Sequence, residues 1–437
     1  MLDLNSYNPQ KVPVKSLKLA FFQLTFLMIG LSLLVDAVNG FFLSGLGIDP
    51  KLSASFKLLL LGLILFQIGT YSRKVLASIL TFFMILLIGP IITLIHTASL
   101  SGFVNDFTSG LKTYTALIIF VYVALICKKW PERVQKYGKW CLQFSFLVFF
   151  INIVLGVLGF GFSSYGSADE EGSATIGVKG FFFAGNEVSG IFIVLSGAVL
   201  HLLWQKNKVV YFVVSPIFLA IGLLIATKAA MLAAALLIFA IPLVNERNRL
   251  LNLTWLKVKM LLPIVIVVII LLFILVPIFE ATGLLNRFIW FYEKKGVIGI
   301  ILSGRDEFII AAIDAYMKFA NITDIIFGFS KTGLGLITKS SMEIDPIDMY
   351  LWFGLAGLVL FLGYIAIFLR VSYLATITAN SRWGPCVLLI NIAMLAVSMI
   401  AGHILTSGML APLLGLINGM AYADLTLNQT HNRLNYE

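Results

Sequence analysis

The sequence predicts an all-α, polytopic integral membrane protein with about twelve transmembrane helices and one long extracytoplasmic loop. Three observations predict it. Of 437 residues, 60% are hydrophobic and only 12% charged, with a mean hydropathy of +1.00, so there is more apolar surface than a soluble core can hide and lipid must be the solvent. The apolar residues come in continuous runs near twenty, the length of a helix across a bilayer core, and do not alternate as barrel strands would. The Lys and Arg residues, 31 against 21 acids, gather in the polar breaks between alternate runs.

Taken in order, residues 1–18 are polar and carry Lys11, Lys15 and Lys18. The run that follows is too long for a secretory h-region and has no small-residue cleavage site, so it reads as an uncleaved first span. Spans are expected at about 19–43, 52–71, 75–96, 109–127, 141–160, 181–204, 209–227, 229–245, 260–279, 346–369, 385–404 and 409–427. This divides the chain into helices one to nine (1–279), the long loop (280–345), and helices ten to twelve with a cytoplasmic tail (346–437). A cytoplasmic N-terminus puts Arg73, Lys74, Lys128, Lys129, Lys206, Lys208, Arg370 and Arg382 inside, leaves the minority of basic residues outside, and returns the C-terminus to the cytoplasm. The basic excess is thus a topology signal, and no basic block with interleaved aromatics points to nucleic acid. Cys127, Cys141 and Cys386 fall near cytoplasmic span ends and read as packing residues, with no disulfide or metal cluster.

Two outer segments break the pattern of short connections. One is "GFSSYGSADEEGSATIGVKG" at 161–180; the other is the 280–345 loop, and long loops in compact proteins usually carry function. In the latter, "SGRDEFIIAAIDAYMKFAN" opens with Ser303 and Asp306 at capping-box spacing. Phe308, Ala311, Ala312, Ala315 and Phe319 follow at helical spacing, which predicts an amphipathic helix against the outer face. No fixed-period or inverted repeat stands out.

The ionisable groups at the outer boundary are Lys179, Glu187, Lys228, Arg287, Lys294, Lys295, Arg305, Asp306, Glu343, Asp345, Asp348 and His403. A charge at membrane depth costs roughly 2.5–3.5 kcal/mol at a helix centre unless paired or wet, so a set at one level predicts a polar cavity. Both signs are present. Guanidinium and ammonium groups suit phosphate oxygens, and carboxylates suit sugar hydroxyls or a proton. The densest stretch is "SSMEIDPIDMYLWFGLAG" at 340–357, where Pro346 fits the first turn of a helix and Asp345 and Asp348 sit three apart. The plainer reading has Asp345 capping that helix and Asp348 complementing its dipole. Asn186 and Glu187 can equally be polar glue between helices, and His403 can bind a backbone carbonyl. Asp36, in the first span, has no evident partner. The aromatics of "NRFIWFYEKK" beside Arg287 read chiefly as interface anchors.

The order of "GVKGFFFAGNEVSG", "IATKAA", a long outer loop containing "SGRDEF", "MEIDPIDMYLWFGLAG" and a late "AGHILTSGML" resembles the O-antigen polymerase and O-antigen ligase superfamily, above all the polymerases of Gram-positive capsules and exopolysaccharides. The resemblance covers about residues 150–425. It implies a GT-C-like membrane glycosyltransferase of the bacterial cytoplasmic membrane with its active site facing outward. Donor and acceptor would be undecaprenyl-diphosphate-linked oligosaccharides, with a flippase and a chain-length regulator as accessory partners. By the same resemblance Arg305 and Arg287 grip the diphosphate, assisted by Lys179 and Lys228. Ligases of similar layout tend to carry His where Asp348 stands, which favours the polymerase branch.

Transfer from a lipid diphosphate needs cations on the phosphates and a base for the acceptor hydroxyl, but no protein nucleophile. The expectation is a metal-independent, cofactor-free polymerase with Asp348 as first candidate base, followed by Asp345, Glu343 and Glu187, and with His403 in support. The alternatives are ligase-type transfer to another acceptor, a lipid-linked oligosaccharide flippase or other transporter, and a noncatalytic assembly partner.

Overall fold

A computed structural model describes residues 14–165, 176–246, 273, 284–378 and 381–434. The first half is a series of helices turned by local caps. α1 (Val14–Leu46) and α2 (Leu52–Tyr71) lead to α3 (Arg73–Thr97), which opens where Ser72 Oγ accepts from Val75 N at 3.3 Å. α4 (Leu100–Cys127) starts nine residues before its hydropathy predicts, because Ser99 Oγ caps it at Gly102 N (3.1 Å) and one face of its polar first turns, Gly102 and Asp106, is packed against protein. α5 (Pro131–Val157) opens on a proline at its first position. An antiparallel pair, β1 (Phe162–Tyr165) and β2 (Ile176–Gly180), precedes α6 (Gly185–Lys206). Asn152 of α5 ties β2 down, donating to Lys179 O and accepting from Phe181 N, both at 2.8 Å. α7 (Lys208–Ile225) and α8 (Lys228–Asn245) are capped by Asn207 and Thr227.

Ten of the described helices are long and apolar enough to cross a bilayer, so the chain is an all-α, multi-pass membrane protein. The span expected at 260–279 lies, apart from Phe273, outside the described residues. The last expected span is a real helix, Ala411–Leu434, but it is less apolar than the ten. The reason is its position: it packs against α4, α5 and two later helices and is buried along most of its length, so it needs no lipid-facing surface. Its polar groups are satisfied inside the bundle. Asn418 exchanges amide hydrogen bonds with Asn391 (2.8 and 3.1 Å), and Asp424 accepts from Gln135 Nε2 (2.8 Å) and Trp383 N (2.6 Å).

The long loop holds four helices where one was expected: α9 (Leu284–Leu302), α10 (Arg305–Phe319), α11 (Ile322–Phe327) and α12 (Lys331–Ile337). The capping box predicted at Ser303 is absent. Ser303 has φ +56, outside the extended backbone an N-cap needs, and α10 begins after a left-handed Gly304. The loop's capping box is at Asn321 and Asp324 instead. The covered face of α10 runs through Phe308, Ala312, Ala315 and Tyr316, while Ala311 and Phe319 are exposed, a narrower stripe than predicted.

α13 (Asp345–Ile377) is a broken helix. At Gly354 the backbone turns to φ 64 and ψ −161, and Phe329 N and Ser330 N donate to the freed carbonyls of Leu351 (2.9 Å) and Trp352 (3.0 Å). A Cβ on Gly354 would lie 2.4 Å from the Ile326 carbonyl, so only glycine lets the two backbones cross there. Unwound backbone at this depth is tolerated because protein groups satisfy it. α14 (Gly384–Ala401) packs on α6, α8 and α13, and α15 (Ala411–Leu434) completes the bundle. The three cysteines are free and buried, with Cys141 Sγ 3.1 Å from Phe26 O.

Candidate functional site

The two carboxylates that begin α13 serve as anchors. Asp345 does not cap its own helix. It is fully buried and accepts from Ile404 N (3.2 Å), Leu405 N (2.8 Å) and Thr406 Oγ1 (3.2 Å), pinning the link between α14 and α15. Asp348, also fully buried, accepts from Ser341 Oγ (2.6 Å), Met342 N (2.5 Å) and Glu343 N (3.1 Å), pinning the link before α13. Both carboxyl groups are enclosed and engaged by these donors in this structure. Charge that backbone N–H groups compensate is how a carboxylate is retained at such depth.

What these anchors hold is strained. Glu343 (φ 60) and His403 (φ 57) both adopt left-handed backbone, and a Cβ on neighbouring Gly402 would meet the Glu343 carbonyl carbon at 2.0 Å. Such conformations cost of order 1–3 kcal/mol each and persist where the surroundings over-determine them. Here they bring two side chains together. Ser341 Oγ lies 3.0 Å from His403 Nε2 while giving its only proton to Asp348. Nε2 must therefore be the protonated nitrogen, which leaves Nδ1 as the imidazole's basic position. Burial, with the Lys331 ammonium next in importance, pushes the His403 pKa down to about 4, so the ring is neutral at pH 7. Trp352 supports it with a ring 6.3 Å away at 22°, and is itself held by Nε1 donating to Ser340 O (2.8 Å).

Glu343 is the half-open centre of a charge cluster. Arg305 Nη2 reaches one of its oxygens at 3.0 Å and Lys339 Nζ the other at 2.8 Å. Burial pushes its pKa up, but the Lys339 hydrogen bond and the charges of Arg305 and Lys339 outweigh that and hold it below the usual glutamate value. Arg305 also donates from Nη1 to Leu302 O (3.2 Å), while its buried Nε has no partner. An unpaired buried donor is the exception in native structures.

Behind this cluster, Asp106 of α4 accepts from Thr332 N (2.8 Å) and Thr332 Oγ1 (3.0 Å), fixing the start of α12 and with it Lys331. Lys331 Nζ sits 5.1 Å from the Trp352 ring centroid. Burial and the nearby Lys112 ammonium lower its pKa, opposed by Asp348, Asp106 and Glu187. Lys112 and Glu187 in turn line a groove of about 620 Å³ between α1, α2, α4 and the start of α6, walled by Leu43, Leu61 and Phe107. Asp36, without an evident partner in sequence, pairs there with Lys57 at 2.6 Å. Lys331 thus feels both the Glu343–His403 cluster and the groove that Lys112 and Glu187 line.

Arg305, Glu343 and His403 are thus brought into one neighbourhood, and Lys331 couples it electrostatically to Glu187, which accepts from the Ser407 hydroxyl. Lys228 stands at its edge, donating to Ser303 Oγ at 2.7 Å. Lys179 is turned to Phe183 O (3.0 Å), with its pKa lowered by burial. Lys295 pairs with Asp306 (2.8 Å) and Glu307 (2.7 Å), apart from the cluster. Arg287 lies on α9, but its side chain is outside the described residues. Sequence reasoning missed Lys112, Lys331, Lys339, Ser341 and Trp352. Of these only Lys112 carried a signal, a cation inside an expected span. Among the described residues no three His, Cys, Asp or Glu side chains converge as metal ligands would. No family model, curated protein or solved structure matches the chain.

Proposed function

We propose that this protein is a membrane glycosyltransferase that polymerises undecaprenyl-diphosphate-linked oligosaccharide units at the outer face of a bacterial cytoplasmic membrane. The observation that carries the reading is the Arg305, Lys339 and Glu343 cluster beside a neutral His403, with Lys331 coupling it electrostatically to Lys112 and Glu187 of a largely apolar groove. An amphiphile whose head bears phosphate and whose tail is hydrocarbon fits those two halves. In the reaction, the acceptor hydroxyl oxygen forms a bond to the anomeric carbon of the donor sugar while the bond from that carbon to the diphosphate breaks. The hydroxyl proton passes to His403 Nδ1. The negative charge that grows on the departing diphosphate is met by Arg305, Lys339 and Lys331. Asp348 and Asp345 act as positioning residues, Asp348 through Ser341 on the imidazole and Asp345 through the 404–406 backbone.

The test is reconstitution with undecaprenyl-diphosphate oligosaccharide from the host, comparing wild type with Arg305→Ala and His403→Gln. A ladder of longer lipid-linked products from the wild type, lost in both folded variants, is expected. Labelled lipid that crosses the liposome membrane without elongation would replace the enzyme with a flippase. Transfer only to an added non-lipid acceptor would make it a ligase.

A further inference from the structure

The end of the bundle opposite this site carries a second charged furrow. α6 joins the two, with Glu187 in its first turn and Lys206 in its last. Between α5 and α6 lies a cavity of about 800 Å³ whose rim is formed by Lys139, Lys206 and Arg382 and whose walls are apolar, chiefly Phe146, Phe150 and Leu203. Three separate elements supply the cations: α5, α6 and the turn before α14. Among the described residues no carboxylate lines the furrow, and none of their ion pairs uses these three groups.

Arg382 is held in place by its backbone. Its carbonyl accepts from the fully buried His201 through Nε2 (2.7 Å) and from Gln205 Nε2 (3.2 Å). The acid that meets that turn, Asp424 of α15, is buried and already accepts from Ser381 Oγ (2.9 Å), Trp383 N (2.6 Å) and Gln135 Nε2 (2.8 Å). The guanidinium is therefore presented to the furrow without a counter-ion from this turn.

Depth separates charge from hydrocarbon. At a rise of 1.5 Å per residue, Lys139 and Phe150 on α5 stand roughly 16 Å apart along the helix, close to the half-thickness of a bilayer core, ~15 Å. Cations at the rim and a slot one acyl chain deep are the two halves of a phospholipid site, and basic pockets between helices at this kind of position select anionic headgroups. We propose that this furrow binds an anionic glycerophospholipid of the adjacent leaflet, its phosphate held by Lys139, Lys206 and Arg382 and an acyl chain laid along Phe146 and Phe150. The inference is independent of the reaction proposed for the other end.

Native mass spectrometry of the purified protein tests it, with cardiolipin, phosphatidylglycerol or phosphatidylcholine added singly. Wild type is expected to retain cardiolipin or phosphatidylglycerol at least tenfold better than phosphatidylcholine, and the triple Gln variant at positions 139, 206 and 382 to lose that preference. Inorganic phosphate at millimolar concentration should not displace the lipid; displacement would reassign the cations to a free phosphate site. Equal retention of phosphatidylcholine, or unchanged selectivity in the variant, would overturn the proposal. Should the triple variant fail to fold, Lys206→Gln and Lys206→Arg, at an exposed position in the last turn of α6, decide the matter: Gln should weaken selectivity and Arg preserve it. Selectivity unchanged by Lys206→Gln would refute the proposal.

Discussion

Replacing Asp348 by Asn separates an anchor from a base. The carboxylate accepts three hydrogen bonds, from Ser341 Oγ, Met342 N and Glu343 N. An amide offers one acceptor oxygen, and its NH₂ must face at least one of the same donors. Ser341 can rotate and accept from the amide, Met342 N keeps the amide oxygen, and Glu343 N keeps its second bond to Ser341 Oγ at 3.1 Å. What is lost is charge assistance, about 1.5–3 kcal/mol. Asp348→Asn is therefore expected to destabilise the fold by about 2–3 kcal/mol, which for a chain this long lowers the thermal midpoint by roughly 3 °C. Because Ser341 and Glu343 move with it, affinity for undecaprenyl diphosphate should fall together with turnover. Tryptophan fluorescence on heating in nanodiscs reports the first, since Trp352 stacks beside His403, and lipid-diphosphate titration reports the second. A variant that melts within ~1 °C of wild type and binds lipid normally, yet loses turnover 100-fold, would show Asp348 to be the base after all.

Arg305→Ala should weaken undecaprenyl-diphosphate binding at least tenfold, equivalent to about 1.4 kcal/mol, and Arg305→Lys should restore only part of it because the planar fork is lost; equal affinity in all three would remove Arg305 from the site. His403, whose pKa is about 4 when folded against an ordinary 6.5, binds a proton more readily in the unfolded chain. Its contribution is therefore fully present above pH 6.5 and lost as the pH falls towards 4, by about 3 kcal/mol in all. Denaturation across that range should be less steeply pH-dependent in His403→Gln, and an unchanged slope would contradict the buried-imidazole reading. Gly354→Ala should abolish assembly of the loop on α13, since the new methyl would overlap the Ile326 carbonyl; a soluble, monodisperse variant with wild-type melting would refute the crossing described above.

Much of this architecture is legible in sequence because hydropathy and charge bias act over twenty residues at a time. The helices that hydropathy placed poorly are the ones shaped by protein contacts: α4 begins early on a serine cap, and α15 trades apolar residues for Asn418 and Asp424 because it touches little lipid. The site was legible as a set of charges at one level and illegible as a set of roles. Asp345 and Asp348 look alike in "DPID", yet each binds a different loop, 59 residues apart in one case and within seven in the other. Nothing local distinguishes a carboxylate that will meet backbone N–H groups from one that will meet a substrate. Lys331 and Lys339 escaped notice because they occur in a polar loop, where a lysine carries no penalty that would mark it.

Glu343 raises the last mechanistic point. Without substrate it neutralises Arg305 and Lys339, at 3.0 and 2.8 Å, so an arriving diphosphate must take those cations from it. If Glu343 is a placeholder, Glu343→Gln leaves both cations uncompensated and should tighten undecaprenyl-diphosphate binding, by about tenfold if one ion pair's worth of competition, near 1.4 kcal/mol, is removed. Turnover should then fall only through slower product release, so single-turnover transfer would stay near the wild-type rate. If Glu343 is instead the base, the same substitution stops single-turnover transfer whatever it does to affinity. The two readings diverge at the chemical step, because a base role becomes available only once the phosphate has displaced Glu343 from Arg305 and Lys339.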